Sequence, residues 1–145
     1  MDYETLDTIA DAYIPLLAGL YLFALVWTLS QLPGQRRAVG MSALILAPML
    51  VASYGLMFLD NWLKLWPGFG LDYSTHTAVS VSLVLALCML KRRLWPFWLG
   101  SFIGYLVLMH YQQYHTVADM LTTLIALIWL PLLISTVLRR GFYKR

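Results

Sequence analysis

Charge is scarce in this chain: Asp, Glu, Lys and Arg make up 12% of its 145 residues, whereas 61% are hydrophobic. That balance excludes an ordinary soluble globular domain, in which about a quarter of residues are charged. Cys88 is the single cysteine, so no internal disulfide can form, and it reads as a small core hydrophobe. No linker, low-complexity tract or internal repeat interrupts the pattern, which leaves one domain over residues 1–145. The amino-terminal stretch also lacks the basic start of a secretory signal. Asp2, Glu4, Asp7 and Asp11 precede the first apolar run instead, and a retained helix is expected there.

Apolar sequence fills five blocks, about 13–31, 37–59, 74–90, 95–110 and 116–138, none with a charge in its middle. The expected fold is all-α: an integral membrane bundle of five transmembrane helices. Arg36 and Arg37 lie between the first two blocks, Lys91, Arg92 and Arg93 between the third and fourth, and Arg139, Arg140, Lys144 and Arg145 follow the fifth. Basic flanks stay in the cytoplasm, so the amino terminus is expected out and the carboxyl terminus in. The acidic residues, from Asp2 through Asp60, Asp72 and Asp119, then share the outer face, where Lys64 is the only cation. An inner (cytoplasmic) membrane, multi-pass placement follows, and the net charge of +3 reflects topology and calls for no nucleic-acid partner.

Smaller signals refine this reading. Blocks three and four, at about 16 residues and ~1.5 Å each, reach ~24 Å against a hydrocarbon thickness of ~30 Å, so their outer ends are expected at headgroup depth. Trp62 and Trp66 suit the outer interface, and Trp95 and Trp98 the inner one. Gly100 and Gly104 form a small-xxx-small pair that reads as close helix packing.

Only three histidines are present, His76, His110 and His115, and all fall on the expected outer side. An ionisable group at the rim of a bilayer must be partnered or used. His115 and Asp119 are spaced i, i+4, which on a helix puts a carboxylate beside an imidazole that it can orient. Alone, His-x-x-x-Asp is explained more simply by a satisfied interfacial pair. Ser74-Thr75-His76-Thr77 opens block three, where a Ser or Thr cap and free backbone N–H groups bind anions, phosphate above all. Two histidine-bearing helix starts on one side supply a nucleophile, an orienting carboxylate and a general acid in one cluster.

At these residues the chain resembles the type-2 phosphatidic acid phosphatase superfamily, nearer its sphingomyelin synthase-like branch. Ser74 and His76 match the serine and histidine of the family's Pro-Ser-Gly-His motif, with Tyr73 and Thr75 in the other two places and Thr77 after them. His115 and Asp119 match the last two positions of its third motif, and the resemblance spans roughly residues 71–124. It implies phosphoryl transfer in which His115 attacks phosphorus to give a phosphohistidine, Asp119 supports it and His76 protonates the leaving group.

The first motif of the phosphatase branch, with its lysine and Arg-Pro, has no counterpart here, and Met109 stands where the third motif carries arginine. Lys64 and His110 are the nearby cationic candidates, and with Ser74, Thr75, Thr77 and Asp72 they make up the expected substrate-binding set. Fewer cations favour a singly charged phosphodiester over a dianionic monoester. The expected activity is that of a membrane lipid phosphatase or phosphotransferase acting at the periplasmic face, with a membrane lipid as substrate, no cofactor and no resident metal. Two alternatives stay open: a metal-dependent membrane hydrolase using Asp60, Asp72 and the histidines, and a non-catalytic lipid-binding, transport or scaffolding bundle.

Overall fold

The computed structural model describes residues 3–31 and 33–143. Asp2, Lys144 and Arg145, which contribute to the charge asymmetry, lie outside the described residues, as does Leu32 in the first turn. Five α-helices follow one another: α1 (Tyr3–Gln31), α2 (Arg36–Leu63), α3 (Thr75–Leu90), α4 (Trp95–Tyr111) and α5 (Val117–Tyr143). Short 3-10 turns at Pro33–Gln35, Pro67–Phe69 and Arg92–Leu94 join them, and no strand occurs among the described residues. Three helical stretches, Glu4–Gln31, Arg36–Leu63 and Val117–Ile134, are long and apolar enough to cross a membrane. α3 is apolar but shorter.

The helices match the five apolar blocks with three overruns: α2 continues four residues past Leu59, α5 five past Leu138, and α1 starts well ahead of its block. α1 begins at Tyr3, ten residues ahead of the apolar run that starts at Tyr13, because its acidic first turns continue the same helix. One stripe explains this: Ala10, Leu17, Tyr21, Ala24 and Thr28 are buried, at three-, four- and seven-residue steps, and the polar residues of the first turns lie off it. Pro15, Pro48 and Pro131 sit inside α1, α2 and α5, and each helix continues past its proline.

Packing is organised around α3. It contacts all four other helices and most extensively α2, and from Thr77 to Val84 every residue is buried. The other helices each bury a single stripe, such as Trp98, Phe102, Tyr105 and Met109 on α4, and turn large apolar side chains outward. Phe23, Val51, Phe58, Ile125 and Leu132 are all more than 60% exposed, whereas Thr28, Ser42, Ser53, Ser80, Ser82 and Thr123 are fully buried. This arrangement is apolar outside with small hydroxyls inside. Small residues let helix backbones approach closely, and buried hydroxyls must find partners.

The serine hydroxyls between helices meet that requirement, whereas the buried Tyr105 hydroxyl, beside Tyr13, has no hydrogen-bond partner among the described residues. Ser82 donates back to Ala78 O at 2.7 Å and lies 3.4 Å from Ser53 Oγ, which itself donates to Met49 O. Tyr21 pairs with Ser42 across α1 and α2, and Tyr13 with Ser101 across α1 and α4. Gly100 and Gly104 do not serve helix packing. Both are exposed on α4, and a methyl group added at either position would meet nothing within 4 Å. A small-xxx-small pattern identifies a face of a helix but not what that face meets.

Ser82→Leu, which forces a branched aliphatic side chain into the contact with Ser53, should destabilise the protein by about 1–3 kcal/mol. Gly100→Ala and Gly104→Ala should cost nothing, since both sites are open. Denaturation of the three purified variants in one detergent compares them directly; a loss in the glycine variants equal to that in Ser82→Leu would show that α4 packs differently.

Candidate functional site

All five helices contribute to one end of the bundle: the starts of α1, α3 and α5 and the ends of α2 and α4. Backbone turns shape the connections. α2 ends on Lys64 in the left-handed region (φ 54), and Gly70 (φ 70) closes the Pro67–Phe69 turn, with Leu71 N–H reaching back to Trp66 O. α4 ends the same way: Gln113 has φ 60, its N–H bonds His110 O, and Tyr114 N–H bonds Met109 O. That paired pattern is a Schellman cap, and it turns the chain sharply before His115.

The loop before α3 is tied down on both sides. Asp60, buried at the end of α2, accepts the Trp66 backbone N–H at 2.8 Å, while the Trp66 indole N–H donates to Thr122 Oγ1 on α5 at 3.0 Å. Tyr73 packs edge-on against the Trp66 ring and donates its hydroxyl to Ser53 O. Burial, and secondarily the Asp60 charge, push the Tyr73 phenol well above its usual range, so it remains a neutral donor.

Ser74 caps α3. Its Oγ accepts from Thr77 N–H and lies 2.8 Å from Thr77 Oγ1, and its own N–H donates to Thr123 Oγ1 on α5. Ser74 and Thr77 are fully buried, so their hydroxyls hold the helix start and do not face a ligand. Of the expected substrate-binding residues in this segment, Thr75 is half-buried and Asp72 is exposed, and the catalytic candidate His76 is exposed as well.

Asp119 is buried and fully committed. Its Oδ2 accepts the Thr116 N–H at 2.8 Å and the Thr116 hydroxyl at 2.7 Å, while Asp119 N–H donates to Thr116 Oγ1. This reciprocal pair is a capping box at the start of α5. Its Oδ1 accepts the backbone N–H of Asp72 at 2.8 Å, across 47 residues of sequence. Asp119 therefore joins the two helix starts, and no hydrogen bond runs from it to His115.

The carboxylate nearest His115 is Asp72, with Oδ2 at 3.7 Å from Nδ1. That is ion-pair range, too long for a hydrogen bond, and Nδ1 has no hydrogen-bond partner. The Asp72 side chain is 71% exposed and free to swing, whereas His115 is 11% exposed. Burial lowers the His115 pKa below the ordinary histidine value; Asp72 and then Asp119 oppose that shift, and His76 adds to it. The net shift favours the neutral imidazole. The His76 ring lies 6.4 Å from the His115 ring, centre to centre, and 6.4 Å from the Tyr114 ring. Tyr114 in turn donates its hydroxyl to Asp7 on α1.

The structure thus brings together Asp72, His76, His115 and Asp119, with Ser74 and Thr77 beneath. Lys64 and His110 are exposed at the same end, and neither shares a hydrogen bond or ion pair with the cluster among the described residues. The Thr116-Val117-Ala118-Asp119 capping box was available in the sequence as a helix-start signal. Nothing local in the sequence signals that Asp72 is the carboxylate at His115.

Removing the Asp119 carboxylate should cost more than an ordinary cap, which is worth about 0.5–2 kcal/mol, because the Asp72 N–H and Thr116 lose their acceptor together. Asp119→Ala should lose at least about 2 kcal/mol in denaturation, while Asp72→Ala, whose exposed carboxylate makes no hydrogen bond among the described residues and only a long ion-pair contact with His115, should stay within about 0.5 kcal/mol of the parent.

No family model, curated protein or solved structure matches this chain, so the functional reading rests on the geometry of this cluster.

Proposed function

We propose that the protein is a five-span membrane enzyme that cleaves or transfers the head group of a phosphodiester lipid, with its site at the non-cytoplasmic face. The observation that carries this reading is the pair of imidazoles 6.4 Å apart, one with a carboxylate at its Nδ1, set between two adjoining helix N-termini. Lipid surroundings account for the outward apolar faces, which in water would make an aggregation surface. Segregation of acidic residues to the histidine end and of Arg36, Arg37, Lys91, Arg92 and Arg93 to the other supports the amino-terminus-out orientation.

The chemistry follows from what each group can do. Beyond the Ser74 and Thr116 caps, the first N–H groups of α3 and α5 have no partner within their helices, a setting suited to an anion. A phosphodiester bound there presents phosphorus between the two rings. With Nδ1–H directed to Asp72, the His115 lone pair is on Nε2, which attacks phosphorus and forms an N–P bond as the P–O bond to the leaving group breaks. His76, protonated, gives its proton to the departing oxygen. Water or an acceptor hydroxyl then attacks the phosphohistidine, neutral His76 takes its proton, and His115 is released. Asp119 acts as a positioning residue by holding both helix starts.

A single negative charge matches these donors, because no lysine or arginine touches the cluster among the described residues. A dianionic monoester would be under-compensated.

The test is incubation of the purified protein with mixed phospholipids, followed by mass spectrometry of released or transferred head groups. His115→Ala and His76→Ala should abolish product, or reduce it by ~10²–10⁴-fold. A diester lipid should show a higher kcat/KM than phosphatidic acid. Full activity in both histidine variants would overturn the assignment and leave a structural or lipid-binding role.

The pH profile supplies a sharper check. Because burial depresses the His115 pKa, the acidic limb of kcat/KM should lie below the ordinary histidine value of about 6.5. Asp72→Asn removes the main charge that opposes the shift, so the limb should move lower still while the plateau rate falls. An upward move would show that Asp72 does not act on His115.

A further inference from the structure

At the end opposite the histidines, α1 and the α3–α4 junction border a cavity of about 350 Å³. Leu20, Phe23, Ala24 and Trp27 line it from α1, a stripe at steps of three, one and three residues, and Lys91 and Trp98 line it from the other side. Over those seven steps α1 rises ~10 Å, enough for part of one acyl chain. Phe23 and Trp27 are more than half exposed, so the cavity is open to the surroundings of the bundle.

The charge beside it sets the kind of occupant it fits. Trp98 is 7% exposed, packs edge-on against Phe97 and forms one wall. Lys91 makes no ion pair among the described residues, and exposed Arg92 and Arg93 follow it directly. Every described carboxylate side chain, from Glu4 to Asp119, belongs to the opposite half of the bundle. A lysine beside an apolar slot, with two exposed arginines next in sequence, complements a headgroup phosphate joined to a hydrocarbon chain.

We infer that this cavity binds an anionic glycerophospholipid of the leaflet at the basic end. Its phosphate lies against Lys91, and one acyl chain lies along Leu20, Phe23 and Ala24. This site rests on the membrane reading but is separate from the histidine cluster, and it needs none of the chemistry proposed there.

The experiment uses the purified full chain in a neutral detergent. Thermal unfolding is followed with added dioleoyl phosphatidylglycerol, dioleoyl phosphatidylcholine or inorganic phosphate. Phosphatidylglycerol should raise Tm by about 3 °C or more, phosphatidylcholine by less than half as much, and phosphate alone not at all. Lys91→Gln, which removes the charge at a partly exposed position, should abolish the excess of phosphatidylglycerol over phosphatidylcholine. Ala24→Leu, which fills the slot without changing charge, should reduce the response to both lipids, and the lipid-free Tm of each variant reports whether it still folds. Equal shifts from the two lipids, or an undiminished excess in Lys91→Gln, would overturn the site. A full response to phosphate alone would replace it with a simple ion site.

Discussion

The Asp119 carboxylate accepts three hydrogen bonds from two distant segments, and this arrangement fixes where both helices of the site begin. A buried charge is costly unless its lone pairs are filled, and here they are filled by backbone N–H groups that would otherwise be orphans of a helix start and a loop. The bond to Asp72 holds the Tyr73–Ser74 turn beside α5, where Ser74 N–H reaches Thr123. The Thr116 box sets the first turn of α5 and, one residue earlier, the position of His115. Without that carboxylate the two imidazoles have no common frame.

The rest of the molecule supports this frame by enclosing α3. α3 is too short to dominate a bilayer crossing and too rich in serine and threonine to face hydrocarbon, and both properties suit a helix surrounded by four others. Its hydroxyls return to its own carbonyls or meet small residues on α2, which permits close approach without unpaired donors. The same enclosure keeps Ser74 and Thr77, at the start of α3, fully buried within the bundle.

The helices were legible in the sequence because five apolar blocks separated by charges and turns leave few alternatives. The site was legible in its members more than in its bonds. His115 and Asp119 satisfy the i, i+4 rule only within a helix, and His115 precedes α5, which starts at Val117; the rule places them on one face of a turn that does not exist there. Thr116 and Asp119 spell a capping box whose meaning is local, and Asp119 follows it. Asp72 stands at His115 through a tertiary bond that no short pattern encodes. Ser74 and Thr77 read as exposed anion-binding hydroxyls because the sequence does not reveal that α5 covers them, and Gly100 and Gly104 read as a contact because spacing does not say which way a face points.

The residues that build the site's floor and those that form its rim are different sets. Tyr73, Ser74, Thr77 and Asp119 are buried and bonded, whereas the Asp72 and His76 side chains are exposed and, among the described residues, reach only His115 and Tyr114, at longer range than a hydrogen bond. Substitution at the rim carries little folding penalty, so rim side chains can change while the architecture stays constant. Such a division makes this end of the bundle evolvable: the rim can vary one residue at a time, with selection on stability acting almost entirely on the floor.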